Sequence, residues 1–225
     1  MLTRVVGRGR VRELSETELD QLRAGAARTV VDVGTGDGRF AYARATAHPD
    51  WLVIGIDAID EPMGETAQRA MRRPERGGRP NLLLLRASIE QVPGELMDAA
   101  DEVTVVLPWG RLLEGIVCPD EEVPLGLASL CRPGAAVSII LNGEIWVEST
   151  PARFRDLPDP TPEHVATVVA PAFAEAGIRL SAARWLEADE AKALTSTWSR
   201  KLGHGREHPR FLNIDGVACS LGSPG

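Results

Sequence analysis

Residues 30–40 read Val-Val-Asp-Val-Gly-Thr-Gly-Asp-Gly-Arg-Phe. The β-branched run Thr29, Val30, Val31 and Val33 leads into glycines at 34, 36 and 38, and an amphipathic segment follows. A buried strand, a tight turn and a helix start, in that order, form the ligand-binding corner of an open α/β sheet. Glycines belong at such a turn because a Cβ would hold the backbone away from a ligand and because some positions require positive φ.

The spacing narrows the ligand. Dinucleotide enzymes favour G-x-G-x-x-G, whereas here G-x-G-x-G follows an acid, Asp32, inside the strand. An acid at that point repels a pyrophosphate and suits a cation. S-adenosylmethionine carries a sulfonium and an α-ammonium and has no phosphate. One strand later, Trp51-Leu52-Val53-Ile54-Gly55-Ile56 ends at Asp57, whose carboxylate can accept from both hydroxyls of a ribose. A generic NAD site is the competing reading of the same corner.

The bulk properties set the frame. With 225 residues and 44% hydrophobic content, the chain suffices for one good core and is short for two domains. No apolar run approaches the roughly 20 residues a membrane helix needs, and residues 1–8 lack the apolar centre of a secretion signal, which points to the cytoplasm. Cys118, Cys131 and Cys219 and four scattered histidines give neither a disulfide framework nor a metal-ligand pattern.

The net charge of −7 at first argues against a nucleic-acid partner, but its distribution argues back. Arg4, Arg8, Arg10 and Arg12 crowd the first twelve residues without an acid. Arg69, Arg72, Arg73, Arg76 and Arg79 face only Glu75 within 69–79, and Arg200, Lys201, Arg206 and Arg210 face only Glu207 within 196–210. Phosphate backbones respond to a local basic face, not to the total charge. Each cluster alone could be plain solvated surface.

Taken in order, residues 3–13 suggest a small hairpin around Gly7-Arg8-Gly9. Ser15-Glu16-Thr17-Glu18 forms a capping box opening a helix to about Ala24. Strands end at Val33 and Asp57, a helix spans about 61–73, and a third strand covers 81–86. The turn Ala87-Ser88-Ile89-Glu90 follows it, and in methyl-donor folds this turn faces the adenine ring, making Ala87 and Glu90 candidates, with a plain surface acid the equal alternative for Glu90. Glu102–Leu107 is the most apolar strand, as expected of a central one, and runs into Pro108-Trp109-Gly110. A helix carrying Leu112, Leu113 and Ile116 and another at about 121–131 precede a strand at 135–142. Four prolines interrupt 143–162, a helix runs from 161 to about 176, and 178–186 is a strand. A short helix at 187–194, a basic connector and a last strand at 211–219 complete the chain.

This succession predicts a Rossmann-like seven-stranded α/β sheet with the last strand antiparallel, the class I S-adenosylmethionine-dependent methyltransferase fold, preceded by a short N-terminal β-hairpin. Residues 1–225 are expected to form a single domain, with 1–14 as the hairpin extension and 143–162 and 194–210 as inserted substrate-side loops.

Five of the ten aromatic residues are tryptophans. Trp51, Trp146 and Trp185 lie in or beside strands and are expected to pack the core. Trp109 and Trp198 fall at the carboxyl edge of the sheet, where a transferred methyl would point. Two indole faces there can sandwich a base drawn out of a helix, each stack contributing about 1–3 kcal/mol; packing the end of the sheet is the plain alternative. Lys201 and Arg206, close after Trp198, suit phosphate contacts that hold RNA without reading its sequence.

Four motifs together, D-V-G-T-G-D-G-R at 32–39, I-G-I-D at 54–57, L-P-W-G-R-L-L-E at 107–114 and S-T-W-S-R-K-L-G-H-G-R at 196–206, resemble the aminoglycoside-resistance 16S rRNA adenine-N1 methyltransferases of the Kam/Npm type. The first two are common to many methyltransferases; the two Trp motifs are far more specific. The resemblance implies methylation of N1 of adenine 1408 in the decoding site of the small (30S) ribosomal subunit, with S-adenosyl-L-methionine as cofactor and resistance to drugs binding there. It implies cofactor contacts from Asp32, Gly34, Gly36, Asp37 and Asp57, with Thr35, Ala58 and Leu107 beside them and Ala87 and Glu90 on the adenine side. Trp109 and Trp198 become the stacking pair, Ser196 a polar group near the reacting centre, and Lys201 and Arg206 rRNA contacts. Arg200, Arg8, Arg10, Arg72 and Arg73 join these from the charge clusters. His208 stands where some relatives carry Arg, which makes a phosphate contact there weaker and pH-dependent.

Adenine N1 already carries an unprotonated lone pair at neutral pH, so no general base is required and the task is in-line placement. The Pro108 carbonyl is expected to accept from the exocyclic amino group of the clamped base, and the cationic product to gain about 0.5–2 kcal/mol from the indole faces. The same features would serve a tRNA methyltransferase; a small-molecule methyltransferase would leave the arginine clusters unexplained, and an RNA-binding module with a vestigial fold would not need Asp32 and Asp57. A monomer acting without metal or membrane is expected.

Overall fold

The computed structural model describes residues 1–143, 154, 156–193 and 210–219. Its strands are β1 (Leu2–Gly7), β2 (Arg10–Leu14), β3 (Arg28–Val33), β4 (Trp51–Asp57), β5 (Leu82–Arg86), β6 (Ala100–Val106), β7 (Cys131–Asn142), β8 (Ile178–Trp185) and β9 (Phe211–Ala218). They join one sheet in the order β2-β1-β5-β4-β3-β6-β7-β9-β8. From β5 to β7 every pairing is parallel, and β9 runs antiparallel to both β7 and β8. Seven strands therefore carry the expected methyltransferase order.

The hairpin departs from expectation. It does not stand ahead of the fold but extends the sheet to nine strands, with Thr3 opposite Arg86 and Arg4 opposite Leu85. Pairing across so many residues has no local signature, since turn chemistry fixes only the β1–β2 register.

Helices α1 (Glu16–Ala24), α2 (Arg39–Ala47), α3 (Gly64–Ala70), α4 (Gly110–Val117) and α5 (Glu122–Leu130) connect the strands. Ser15 caps α1 by accepting from the Glu18 N–H at 3.2 Å, but the Glu18 carboxylate turns to Arg12 at 2.9 and 2.5 Å, so half of the expected capping box forms. α3 is shorter than the sequence suggests, and its first residue, Gly64, lies against the hairpin tip, where a Cβ would stand 2.7 Å from the Arg8 Cα. β7 begins earlier than expected, at Cys131, and accommodates Arg132-Pro133-Gly134 through a register shift and a left-handed Gly134. The helix after Thr161 runs from 162 to 175 as expected, with π geometry over Val165–Val169. Pro171 follows that turn and offers no N–H to the carbonyl four residues back.

Both faces of the parallel sheet are buried, and side chains sort by twos. Leu52, Ile54, Ile56, Leu83 and Leu85 enter the core shared with α1, α4, α5 and Phe173, while Val53, Leu82 and Leu84 join Tyr42, Met63 and Ala67 under α2 and α3. Trp51 and Trp185 are partly buried and pack against the core from its edges. Trp51 stacks on His48 at 3.7 Å with Arg28 and Arg44 over its ring, and Arg210 covers Trp185 at 4.0 Å. Trp146 lies outside the described residues. No helix among the described residues is long and apolar enough to cross a membrane.

Candidate active site

At the carboxyl ends of β3, β4, β5 and β6 the chain encloses about 450 Å³, within the range of about 300–1,000 Å³ typical of small-molecule sites. One wall is the glycine turn. Gly34, Gly36 and Gly38 all adopt left-handed φ, of 69°, 57° and 72°. The turn folds back on β4, with the N–H groups of Gly34 and Thr35 donating to the Ile56 carbonyl at 2.9 and 3.0 Å. A Cβ on Gly34 would strike Leu112 at 2.6 Å, whereas one on Gly36 would meet no atom within 4 Å. Gly36 thus presents bare backbone to open space, a cradle that a side chain would fill.

Asp57, at the tip of β4, accepts from the Gly36 N–H at 2.9 Å and the Ile59 N–H at 3.0 Å. Burial raises its carboxyl pKa, opposed by the backbone N–H groups of Ile59, Gly36 and Ala58. A carboxylate has about four acceptor positions, so capacity remains for a diol. Asp32 is 2% exposed. Thr35 donates to it at 2.6 Å and Thr104, its neighbour across the β3–β6 ladder, at 3.1 Å. Burial pushes the Asp32 carboxyl up to about 6, with both threonine hydroxyls pulling the other way. The buried acid therefore ties the turn to β6 while bordering the cavity, and a cationic group entering there would offset its desolvation.

Ala87, Ser88, Ile89 and Glu90 line the opposite side, with the Ser88 hydroxyl donating to Glu90. Asp37, Ala58 and Leu107 complete the expected set, so all ten sequence-derived cofactor residues border this cavity. A cofactor with an adenine, a ribose and a cationic amino acid end fits the donor set: apolar Ile59, Ile89 and Leu107 for a ring, Asp57 for a diol, Asp32 for the cation. Among the described residues no three His, Cys, Asp or Glu side chains converge on a metal-sized space.

The rim toward β6 is built on unusual backbone. Leu107 is left-handed at φ 51° and donates its N–H to the Ile140 carbonyl at 2.8 Å. Pro108 is buried and does not line the cavity; Trp109 does, and it is 40% exposed. Beneath the indole lies Phe154, with ring centroids 4.7 Å apart. Trp198, Ser196, Arg200, Lys201, Arg206 and His208 lie outside the described residues.

A second cavity, of about 560 Å³, opens between the hairpin tip, α2 and α3, lined by Arg8, Arg39, Arg69, Arg72, Tyr42 and Glu65 among others. It adjoins the first at Asp37, whose carbonyl accepts from Thr66 at 2.6 Å and whose carboxylate pairs with Arg39 at 3.5 Å. Of the N-terminal arginines, Arg4 is buried and donates to the Leu82 carbonyl, Arg12 pairs with Glu18 and Arg8 with Glu65. Counting charge along the chain therefore overstates the free charge of the hairpin. Arg10, Arg72 and Arg73 are exposed.

Sequence reasoning missed Thr104 and Phe154. Thr104 had a signal, as the one polar residue in Val103-Thr104-Val105-Val106. Phe154, within the irregular 143–162 connection, had none.

Residues 3–217 match the model of the NpmA family, 16S rRNA (adenine(1408)-N(1))-methyltransferase. A 16S rRNA (adenine(1408)-N(1))-methyltransferase of Streptoalloteichus hindustanus is 41% identical over 215 residues, covering 96% of this chain and 98% of that one. A crystal structure of a variant 16S rRNA (adenine(1408)-N(1))-methyltransferase with cosubstrate SAM from Catenulisporales acidiphilia superposes with a TM-score of 0.93 at 39% identity, covering 100% of both chains. The 16S rRNA methyltransferase KamB superposes with a TM-score of 0.88 at 38% identity over 96% of this chain and 99% of its own.

Proposed function

The chain belongs to the 16S rRNA (adenine(1408)-N(1))-methyltransferase family, and on that premise we propose that it methylates N1 of adenine 1408 in 16S rRNA, conferring aminoglycoside resistance. The observation that carries this reading is one cavity with Asp32 and Asp57 among apolar walls and a half-exposed tryptophan on its rim.

S-adenosyl-L-methionine supplies the electrophilic methyl when bound. Asp57 takes the ribose hydroxyls, Asp32 faces the cationic end, and Ala87 and Glu90 flank the adenine. Gly34, Thr35, Gly36, Asp37, Ala58 and Leu107 shape the space between. Adenine N1 brings its own lone pair, so the protein contributes orientation rather than proton removal. Trp109 stacks on one face of the flipped base, and Trp198, assigned on sequence alone, on the other. The Pro108 carbonyl accepts from the exocyclic amino group, and Ser196 stands near the reacting centre.

The substrate is the rRNA within the 30S subunit, met by a monomer in the cytoplasm. Arg8, Arg10, Arg72 and Arg73 and the connector residues Arg200, Lys201, Arg206 and His208 hold its phosphates. Residues 1–225 act as one domain, with the hairpin 1–14 and the connections 143–162 and 194–210 on the substrate side. The test is methyl transfer from labelled S-adenosylmethionine to small subunits, free 16S rRNA and bulk tRNA, followed by reverse transcription, which N1 methylation arrests. A single arrest at adenine 1408 in subunits is expected. Label in tRNA alone, or in no RNA, would overturn the reading.

A further inference from the structure

We propose that Phe154 is a positioning residue for methyl transfer, fixing the indole of Trp109 so that its exposed face is set for stacking before the substrate base arrives. The inference rests on the role given to Trp109 above and extends it to a residue 45 positions away in sequence.

The backbone around Trp109 is held on both sides. Leu107 and Gly110 are left-handed, at φ 51° and 64°, and Trp109 between them is extended at φ −137° and ψ 166°. A left-handed leucine persists only where its surroundings over-determine it, and here the bond from its N–H to Ile140 does so. This fixes where the indole leaves the chain. Backbone geometry alone does not set the side-chain torsions of an indole that is 40% exposed.

Phe154 restrains the indole from beneath. It is fully buried, its centroid lies 4.7 Å from that of the indole, and the two planes meet at 47°. Aromatic pairs favour such tilted or offset contacts over a face-to-face sandwich, with a gain of about 0.5–1.5 kcal/mol beyond area burial. Phe154 belongs to the same core as Leu112 and Leu113 of α4, which itself begins right after Trp109. The anchor of the indole is therefore continuous with the helix that follows it. A stacking platform already ordered spares the encounter the cost of ordering it, and in-line transfer is sensitive to misplacement of about 1 Å.

The test compares Phe154→Leu and Phe154→Met, which both remove the ring and replace it with a somewhat smaller branched or flexible chain, with Phe173→Leu. Phe173 is equally buried in the same core but lies in the helix at 170–175, away from the cavity lining. Both Phe154 variants are expected to lower kcat on small subunits about tenfold or more while calorimetric affinity for S-adenosylmethionine is unchanged. The near-ultraviolet circular dichroism of Trp109, taken as the difference from the matching Trp109→Phe chain, should shrink with them. Phe173→Leu should lower Tm comparably and leave turnover and this signal intact. Wild-type turnover in Phe154→Met, or equal turnover loss in Phe173→Leu, overturns the inference. Trp109→Ala separates the two levels. If it is inactive while the Phe154 variants are fully active, only the positioning role falls; if Trp109→Ala itself turns over normally, the stacking assignment falls with it.

Discussion

The cavity at the ends of β3–β6 sets two carboxylates among apolar walls, whereas its neighbour between the hairpin tip, α2 and α3 carries four arginines around Tyr42. Asp37 touches both. The first is organised from within: its acids are bonded by Thr35, Thr104 and backbone N–H groups before any ligand arrives. The second is a surface feature whose charges are partly spent on partners such as Glu65. Opposite signs side by side suit a cationic cofactor and a polyanionic substrate, and they separate the two binding events into residues that can be changed independently.

That separation can be broken most visibly at Asp57. Asp57→Ala is expected to weaken S-adenosylmethionine binding by about 100-fold, since hydrogen bonds to a charged group contribute about 1.5–3 kcal/mol each. RNA affinity should stay as it was, and an unchanged calorimetric cofactor affinity would remove Asp57 from the site.

Acidity gives the next effect. Burial favours the neutral form of Asp32, so its contribution to the stability of the cofactor-free protein is complete below about pH 4 and lost as pH rises through about 6. Cofactor affinity runs the other way, because the cation needs the anion. It should fall by up to about tenfold per unit below pH 6. Asp32→Asn should flatten both trends, raising Tm at pH 7.5 while binding cofactor poorly; a persisting slope in calorimetry would assign the titration to another group.

A smaller change sharpens the same point. Thr104→Val keeps the shape and removes one donor to Asp32, which should cost about 3–10-fold in cofactor affinity and move the pH break upward. Smallest is Arg72→Ala on the basic side. It should weaken binding to small subunits a few-fold and reduce the slope of log affinity against log salt by about one, with cofactor titrations superimposable on wild type. A salt slope equal to wild type would take Arg72 out of the RNA surface.

How far the sequence could be read follows the range of the interactions involved. The glycine turn was legible because left-handed backbone restricts residue choice at each position, and Asp57 because a strand end and an acid coincide. Thr104 was written in the sequence yet silent, since a threonine in a strand is also what β-propensity favours. Arg4 and Arg12 misled because their partners, Leu82 and Glu18, come from other elements. The Trp109–Phe154 contact could not be read at all: nothing local to residue 154 specifies an aromatic 45 residues earlier.

The pairing of the hairpin with β5 has a consequence for the life of the polypeptide in solution. Leu82, Leu83, Leu84 and Leu85 would otherwise form an open edge, four leucines in an extended backbone ready to recruit a second chain. β1 pairs with the end of that edge, Thr3 opposite Arg86 and Arg4 opposite Leu85, while the Arg4 guanidinium takes the Leu82 carbonyl, and the new border is β2, where Arg10, Arg12 and Glu13 punctuate the strand with charge. The first fourteen residues thus act as a built-in guard against aggregation, and trimming them should send the protein into inclusion bodies before catalysis becomes measurable.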